Sequence, residues 1–240
     1  MLSIIFYIYV FIELTVFFIL SAIALVVCLP FDKPRRVVHE LSRCICMFFW
    51  YPPFTWKRRI KGLENIDKNK SYIIVINHNS MADILALYFL PLNFRWVSKR
   101  EVFRMPYIGQ FLYMHGDIAI YRSRGADSLR KINEQGKMWI GRGASIAMFP
   151  EGTRSKSGEM GRFKQGAFTL AKEAGVEILP VVMHGTRNII KKNFMVNWRN
   201  VLSVSVLPPI SVEEVKSLEM AELIDKTRTA MCEEYEKIRK

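Results

Sequence analysis

Cysteine and histidine are both scarce in this chain of 240 residues, which contains four of each. The cysteines are Cys28, Cys44, Cys46 and Cys232, and no two of them have the CxxC spacing that is typical of zinc or redox sites. We therefore expect reduced thiols, as in a cytoplasmic setting, and no metal site built from cysteine.

Acidic residues are few relative to basic ones, with 22 against 35 and a formal net charge of +13. This excess predicts an anionic partner, which is nucleic acid, an anionic membrane surface or a phosphorylated substrate. Nucleic acid is the weakest of the three, and we expect none, because the chain has no basic run interleaved with aromatic residues and no nucleic-acid motif. Half of the residues are hydrophobic and no internal repeat is visible, so the length fits one domain with an appendage.

Charge is nearly absent from the N-terminal stretch between Leu2 and Phe31, where Glu13 is the one formally charged residue. As a helix, the run from Ile4 to Leu29 would be about 39 Å long, which exceeds the roughly 30 Å core of a bilayer. No basic residue precedes the run, so we interpret it as a retained anchor rather than a cleaved signal peptide. The basic residues that follow it predict that the rest of the chain lies on the cytoplasmic face of the inner membrane.

A second apolar segment, Ile45 to Phe54, is rich in aromatic residues but too short to span a bilayer. Because Trp and Tyr prefer the membrane interface, one interpretation places it in the headgroup layer, and the alternative is a hydrophobic flap over the core. With the first run it could form a helical hairpin that dips into one leaflet. Residues 1–55 are thus predicted to anchor the chain and 56–240 to form the folded domain, with 57–69 as the connection.

The remaining chain alternates between short β-branched runs and helical patterns. The predicted strands cover residues 73–76, 94–98, 117–121, 145–149, 178–183 and 201–207. The predicted helices cover 81–90, a stretch that ends near 115, 126–141, 167–174, and a long terminal helix that begins after Ser211. This alternation predicts an α/β fold in which helices flank a largely parallel central sheet.

The polar residues that follow the strand at 73–76 include His78, and Asp83 lies in the first turn of the next helix. Ligands of open α/β sheets bind at the carboxyl ends of the strands. A neutral imidazole beside a carboxylate can act there as a general base. A purely structural alternative exists, because Ser80 and Asp83 also have the spacing of a capping box.

Four blocks resemble those of the HxxxxD glycerolipid acyltransferases: His78 to Asp83, the sequence GDIAIYR at 116–122, FPEGTRS at 149–155, and LPVV at 179–182 with Gly185. Size and the apolar N-terminal segment are most similar to those of bacterial 1-acyl-sn-glycerol-3-phosphate acyltransferases. The resemblance implies transfer of a fatty acyl group from acyl carrier protein or coenzyme A to the free sn-2 hydroxyl of lysophosphatidic acid. It implies phosphatidic acid as the product, and neither a metal, a cofactor nor an acyl-enzyme.

The resemblance also implies a role for individual residues. His78 would be the general base and Asp83 its orienting carboxylate. Arg122 and Arg154 would bind the phosphate, because a guanidinium can fork onto two oxygens. Further substrate contacts are expected from Lys99, Glu151, Gly152 and Thr153.

Two alternatives stay open at this point. The acceptor could be another lysophospholipid or a lyso-aminolipid, since such enzymes share the same chemistry and differ in the head group. The chain could also be a lipid-binding homologue without catalysis, but the intact pair of His78 and Asp83 speaks against that.

Overall fold

The computed structural model describes residues 1–28, 30–51, 56–121, 125–155, 157–190 and 193–239. One sheet runs through the molecule in the order β1-β7-β6-β2-β5-β3-β4. Its strands are β1 (Lys57–Lys61), β2 (Ile73–Ile76), β3 (Phe94–Lys99), β4 (Ile118–Ile120), β5 (Ser145–Met148), β6 (Ile178–His184) and β7 (Val201–Val206). Strands β6, β2, β5, β3 and β4 are parallel to one another, whereas β7 is antiparallel to β6 and parallel to β1.

Helices cover both faces of this sheet, so the predicted α/β fold with a largely parallel sheet is confirmed. They are α1 (Leu2–Cys28), α2 (Arg36–Trp50), α3 (Ala82–Leu87), α4 (Ile108–His115), α5 (Gly125–Gly141), α6 (Gly166–Ala174), α7 (Val212–Ser217) and α8 (Met220–Ile238). Gly175 ends α6 with a φ of 64°, a conformation that glycine adopts without strain.

Strand β2 shows how the core is divided into two layers. Ile73 and Val75 point into the layer that contains α5, α6 and α8, while Ile74 and Ile76 point into the layer that contains α2 and α3. All four side chains are fully buried, as expected for a central strand of a parallel sheet that is covered on both faces.

Helices α1 and α2 pack against each other and share their core with the rest of the chain. The ring of Phe6 in α1 lies 5.6 Å from that of Phe49 in α2 and 6.1 Å from that of Trp56, as measured between centroids. The N–H of Val196 donates to the hydroxyl of Ser3. The division at residue 55 stays a prediction, and across it the two parts bury one common apolar cluster.

The aromatic segment that begins at Ile45 forms the last turns of α2. Phe49 and Trp50 are buried against the core, which agrees with the flap alternative for these two side chains, whereas Phe48 and Tyr51 are exposed. Phe54 lies outside the described residues. The segment therefore covers the core with one side and presents aromatic rings outward with the other.

Helix α1 has the length and composition of a membrane-crossing helix, with a mean hydropathy of 2.7 in its most apolar window. It is the one helix of this kind in the described part of the chain. Most of its surface is not covered by protein. The large apolar side chains exposed along it include Ile4, Ile8, Phe11, Ile12, Ile19, Ile23 and Val27.

Two predicted elements differ from the structure. Residues 57–61, which we expected to be part of a connection, form the edge strand β1, whose exposed Lys57, Arg59 and Lys61 alternate with half-buried residues. Basic residues are common on edge strands because they discourage pairing with other chains. In the sequence, the same basic residues resemble a polar connection, so the strand was not predicted. The single terminal helix is two helices, because Leu218 and Glu219 adopt extended conformations between α7 and α8.

A buried polar cluster lies at the amino ends of the parallel strands, where helices α2 and α4 meet β3. His115 Nδ1 lies 2.7 Å from a carboxylate oxygen of Asp117, and His115 Nε2 lies 2.9 Å from His39 Nδ1. The guanidinium of Arg95 lies beside His115 and donates to the carbonyl of Pro34 in the turn between α1 and α2. The cluster thus fastens the helical hairpin to the sheet.

Burial dominates the protonation of this cluster. It lowers the pKa of His39 and of His115 well below the usual range of histidine, and the positive charge of Arg95 acts in the same direction. Burial also raises the pKa of Asp117 to about 7. Both imidazoles are therefore neutral at physiological pH.

Candidate active site

The loop after β2 is held in place by its first residue, Asn77. The side-chain amide of Asn77 donates to the carbonyl of Met183 at 2.9 Å, and its oxygen accepts the N–H of Met183 at 2.7 Å. This pair of hydrogen bonds ties the carboxyl end of β2 to β6. The next residue, His78, consequently has a fixed position at the edge of the sheet.

The side chain of His78 is oriented by Asp83. Its Nδ1 lies 2.9 Å from Oδ2 of Asp83, which is completely buried. Because a carboxylate only accepts hydrogen bonds, Nδ1 carries the proton and Nε2 is left as a proton acceptor. The same Oδ2 accepts the N–H groups of Asn79 and Ser80, each at 2.7 Å. Asp83 therefore holds the backbone just before α3, as the acidic residue of a capping box would, and orients His78 at once, so the two interpretations of the sequence are compatible.

A stack of aromatic rings supports the imidazole from behind. The rings of His78 and Phe149 lie 3.8 Å apart between centroids with 16° between their planes, and the ring of Trp96 follows at 5.2 Å from that of Phe149. Phe149 belongs to the FPEGTRS block, but sequence reasoning had given it no role. Carboxylate and aromatic ring together restrict the imidazole to one orientation.

Glu151 connects the FPEGTRS loop to the histidine loop. Its Oε1 accepts the backbone N–H of His78 at 2.8 Å, and its Oε2 accepts that of Gly161 at 2.8 Å. The side chain is buried. Glu151 was expected to contact substrate, and the structure places it beneath the site, with both oxygens engaged by backbone groups.

A pocket of about 770 Å³ opens above His78 and brings together several of the residues that the sequence singled out. Lys99, Thr153 and Arg154 line it, and Arg154 is exposed to solvent there. Lys99 forms a half-exposed ion pair with Glu101 at 3.2 Å, a type of contact that contributes little and leaves the ammonium available. Arg122 lies outside the described residues.

An apolar cleft of about 290 Å³ adjoins this pocket and shares Val97, Lys99 and Phe149 with it. Gly152 lines the cleft with a φ of 72°, and a Cβ at this position would come within 3.0 Å of the ammonium of Lys164. The rest of the lining is mainly aliphatic and includes Ile120, Leu129, Ile132 and Met148. The cleft is suited to a hydrocarbon chain.

Arg187 also lines the pocket above His78, although sequence reasoning did not select it. It lies three residues after His184, which ends strand β6 at the same sheet edge as His78. Its position after a strand that neighbours β2 was the signal that could have revealed it. Among the described residues, no group of three His, Cys, Asp or Glu side chains is arranged to hold a metal ion.

Known proteins are similar in sequence to much of this chain. The acyltransferase family model matches residues 57–184, which is more than half of the chain. A chloroplastic 1-acyl-sn-glycerol-3-phosphate acyltransferase of Brassica napus is 37% identical over 165 residues, covering 67% of this chain and 46% of the relative. The alpha form of Ovis aries is 31% identical over 180 residues, covering 75% of this chain and 63% of the relative. The chain thus spans about half the length of the plant relative.

A similar fold occurs in the crystal structure of the 1-acyl-sn-glycerophosphate acyltransferase PlsC from Thermotoga maritima. The two chains align with a TM-score of 0.67 over 98% of each, at 20% sequence identity. At this identity the likeness concerns the fold, whereas the match to residues 57–184 concerns the sequence and includes the blocks that contain His78, Asp83 and Glu151. On that match, the chain belongs to the acyltransferase family.

Proposed function

We propose that this protein is a membrane-associated acyltransferase that moves a fatty acyl group from a thioester to the sn-2 hydroxyl of lysophosphatidic acid, giving phosphatidic acid. The observation that carries the proposal is the pair of His78 and Asp83 at the base of a pocket that also presents Arg154. The names of the relatives from Brassica napus and Ovis aries support the same substrate.

In the proposed reaction, Nε2 of His78 takes the proton of the acceptor hydroxyl as its oxygen attacks the carbonyl carbon of the thioester. The buried carboxylate of Asp83 stabilises the imidazolium that forms. The tetrahedral intermediate then collapses, the carbon–sulfur bond breaks, and the imidazolium returns the proton to the departing sulfur. The products are the new ester and a free thiol, and His78 ends the cycle neutral.

The oxyanion of the intermediate needs hydrogen-bond donors. The backbone N–H groups of His78, Asn79 and Ser80 already donate to Glu151 and Asp83, so they do not face the substrate. Exposed donors that line the pocket include the Thr153 hydroxyl and the Arg154 guanidinium, and we propose these two for this role and for holding the acceptor.

Recognition of the acceptor would rest on the phosphate. Arg154 can bind two phosphate oxygens at once and Lys99 adds a second positive charge. Arg122 is proposed as a further phosphate ligand because of its place in the second block of the family. The apolar cleft beside Phe149 would receive the hydrocarbon chain of the acyl group that is transferred, whereas the phosphate of the acceptor would contact the polar wall.

The hairpin of α1 and α2 would hold this site at the membrane surface. One side of α1 packs on the protein at several points, including contacts of Phe6 with Trp198 and of Phe18 with Phe111. The other side is apolar and exposed. A helix that lies along the protein in this way supports insertion into one leaflet rather than passage through the bilayer. The basic residues that follow α1 support a site on the cytoplasmic face.

An acceptor panel tests the proposal. Purified protein in detergent is given one acyl thioester, which is either a coenzyme A or a carrier-protein derivative. Each reaction contains one acceptor: lysophosphatidic acid, lysophosphatidylcholine, lysophosphatidylethanolamine or a lyso-aminolipid. Release of thiol and the mass of the lipid product are followed. We expect phosphatidic acid with lysophosphatidic acid and little product otherwise; equal or faster reaction of an acceptor without a phosphate monoester would replace the proposed substrate.

A further inference from the structure

A polar groove leads away from His78 on the side opposite the apolar cleft. Asn79 and Arg187 line both the pocket above His78 and a neighbouring cavity of about 230 Å³. That cavity in turn shares His184, Asn188 and further residues with a third one of about 380 Å³. The three cavities therefore adjoin one another in series from the imidazole to the start of β7.

Amide side chains and arginines dominate the lining of this groove. Asn197 and Asn200 follow Asn79 and Asn188 along it, and its far end is bounded by Arg59 of β1 and by Arg199. Asn200 is 6% exposed, and its side-chain nitrogen has no hydrogen-bond partner within the described part of the chain. A buried donor without a partner is costly, so it marks a place where a ligand acceptor would fit.

The charge at the far end is available to a ligand. Arg59 and Arg199 are exposed, and neither forms an ion pair with an acidic residue in the ranges that the structure describes. Arg239, on the wall between them and His184, is by contrast paired with Glu159 and Glu236 at 2.9 Å each. The unpaired guanidiniums can therefore bind an anion without first breaking an ion pair.

An acyl thioester donor has matching chemistry along its length. In both coenzyme A and acyl carrier protein, the thiol is joined through an arm with two amides and a hydroxyl to a phosphate. The amides need hydrogen-bond partners, and the phosphate favours arginine. A hydrocarbon chain on the other side of the thioester carbon would need an apolar wall, which the cleft beside Phe149 offers.

We propose that this groove binds the 4′-phosphopantetheine arm of the acyl donor, with the thioester at His78, the amides along the asparagines and the phosphate at Arg59 and Arg199. This inference rests on the proposed function, because it presupposes a thioester donor. It separates the two substrates in space: the phosphate of the acceptor binds at Arg154, and that of the donor binds at the far end of the groove.

The test compares the double variant Arg59→Gln/Arg199→Gln with a charge-matched control, Arg130→Gln/Arg162→Gln, whose exposed arginines line none of the three cavities. Coenzyme A binding to the purified protein is measured by calorimetry, without turnover. Initial rates then give KM for an acyl-coenzyme A, for an acyl carrier protein thioester and for lysophosphatidic acid. Comparison of the rates with acyl-coenzyme A and with the acyl carrier protein thioester identifies which of the two donors the protein uses.

We expect the groove variant to weaken coenzyme A binding and to raise KM for every active thioester about tenfold or more, with KM for lysophosphatidic acid unchanged. The control should match the unaltered protein. An unchanged KM for the thioesters in the groove variant would overturn the inference while leaving the proposed function in place. Absence of turnover in the unaltered protein would instead refute the proposed function, and the calorimetry would still test the groove.

Discussion

The backbone N–H of His78 donates to Oε1 of Glu151 at 2.8 Å, although 73 positions separate the two residues in the chain. The second carboxylate oxygen of Glu151 accepts the N–H of Gly161. Glu151 thus fixes the backbone of the loop that contains His78 to the loop that contains Arg154. We interpret it as a positioning residue that acts through His78.

Replacing Glu151 by Gln should disturb this arrangement, because an amide has one oxygen and must turn its NH₂ group towards one of the two backbone donors. We expect a loss of about 1–3 kcal/mol in the free energy of unfolding and a decrease of at least about tenfold in kcat. Denaturant unfolding and initial rates measure the two effects. Glu222→Gln, at an exposed site in α8, is the control and should change neither. An unaltered kcat in Glu151→Gln would show that His78 does not depend on this contact.

Arg154→Ala should chiefly raise KM for the phosphate acceptor, by about tenfold or more, since it removes a charge-assisted contact to the phosphate. The matched control is Arg162→Ala, which is exposed in the same loop but does not line the pocket above His78. Rates at varied acceptor and varied donor separate the two KM values. An effect of Arg154→Ala on the donor alone would contradict the assignment.

Lysine at Ile12 and Ile19, whose side chains are 56% and 54% exposed on α1, should release the protein from zwitterionic vesicles. Burying two ammonium groups in a bilayer would be unfavourable by several kcal/mol, and neither side chain is needed for packing. Co-sedimentation with vesicles measures the change. The control adds lysine at two exposed apolar sites elsewhere, Leu63 and Met138. Equal sedimentation of both variants would place membrane contact outside this face of α1.

The pH dependence of stability should report on His39 in the buried cluster. Burial and the neighbouring His115 and Arg95 hold the pKa of His39 well below its usual range, so the unfolded state takes up the proton more readily. The neutral imidazole therefore contributes stability above about pH 6.5, and that contribution decreases as the pH falls below this value.

The measurement is the difference in free energy of unfolding between the unaltered protein and His39→Gln. The difference is needed because Asp117, whose pKa is raised to about 7, affects the pH dependence of stability in the direction opposite to His39. Asp117 is present in both proteins, so its effect is removed by the subtraction. We expect the difference to decrease by about 1 kcal/mol between pH 7.5 and 5.5. A difference that is constant or grows over this range would show that His39 takes up a proton in the folded protein at least as readily as in the unfolded chain.

Much of the fold was predictable because local patterns and tertiary structure agree. The run 73–76 is uniformly apolar and β-branched, and it is the fully buried centre of the sheet. Strand β1 was not predictable in this way, because at a sheet edge three of its five side chains are exposed and basic, which resembles a linker. The break between α7 and α8 at Leu218 and Glu219 was likewise not predictable, because it contains no proline or glycine.

For the site, the sequence blocks predicted that His78, Asp83 and Arg154 belong together. In the structure His78 and Arg154 line one pocket, and Asp83 is buried at hydrogen-bond distance from His78. The spacing of the motifs could not predict the direction in which each side chain points. Glu151 lies in the same block as Arg154, yet its side chain points beneath the loop to backbone donors, which only the three-dimensional path of the chain determines. The neighbouring groove could not be predicted from the sequence either, because its residues come from β1, β6 and the segment before β7, which only the fold brings together.

His78 is proposed as the base that activates the acceptor hydroxyl, and the variant His78→Ala removes that base. Formation of phosphatidic acid from lysophosphatidic acid and an acyl thioester is measured for protein whose unfolding midpoint and coenzyme A binding match those of the unaltered chain. We expect turnover to decrease by about a thousandfold or more, in line with the loss of a general base. Turnover near that of the unaltered protein would contradict the account.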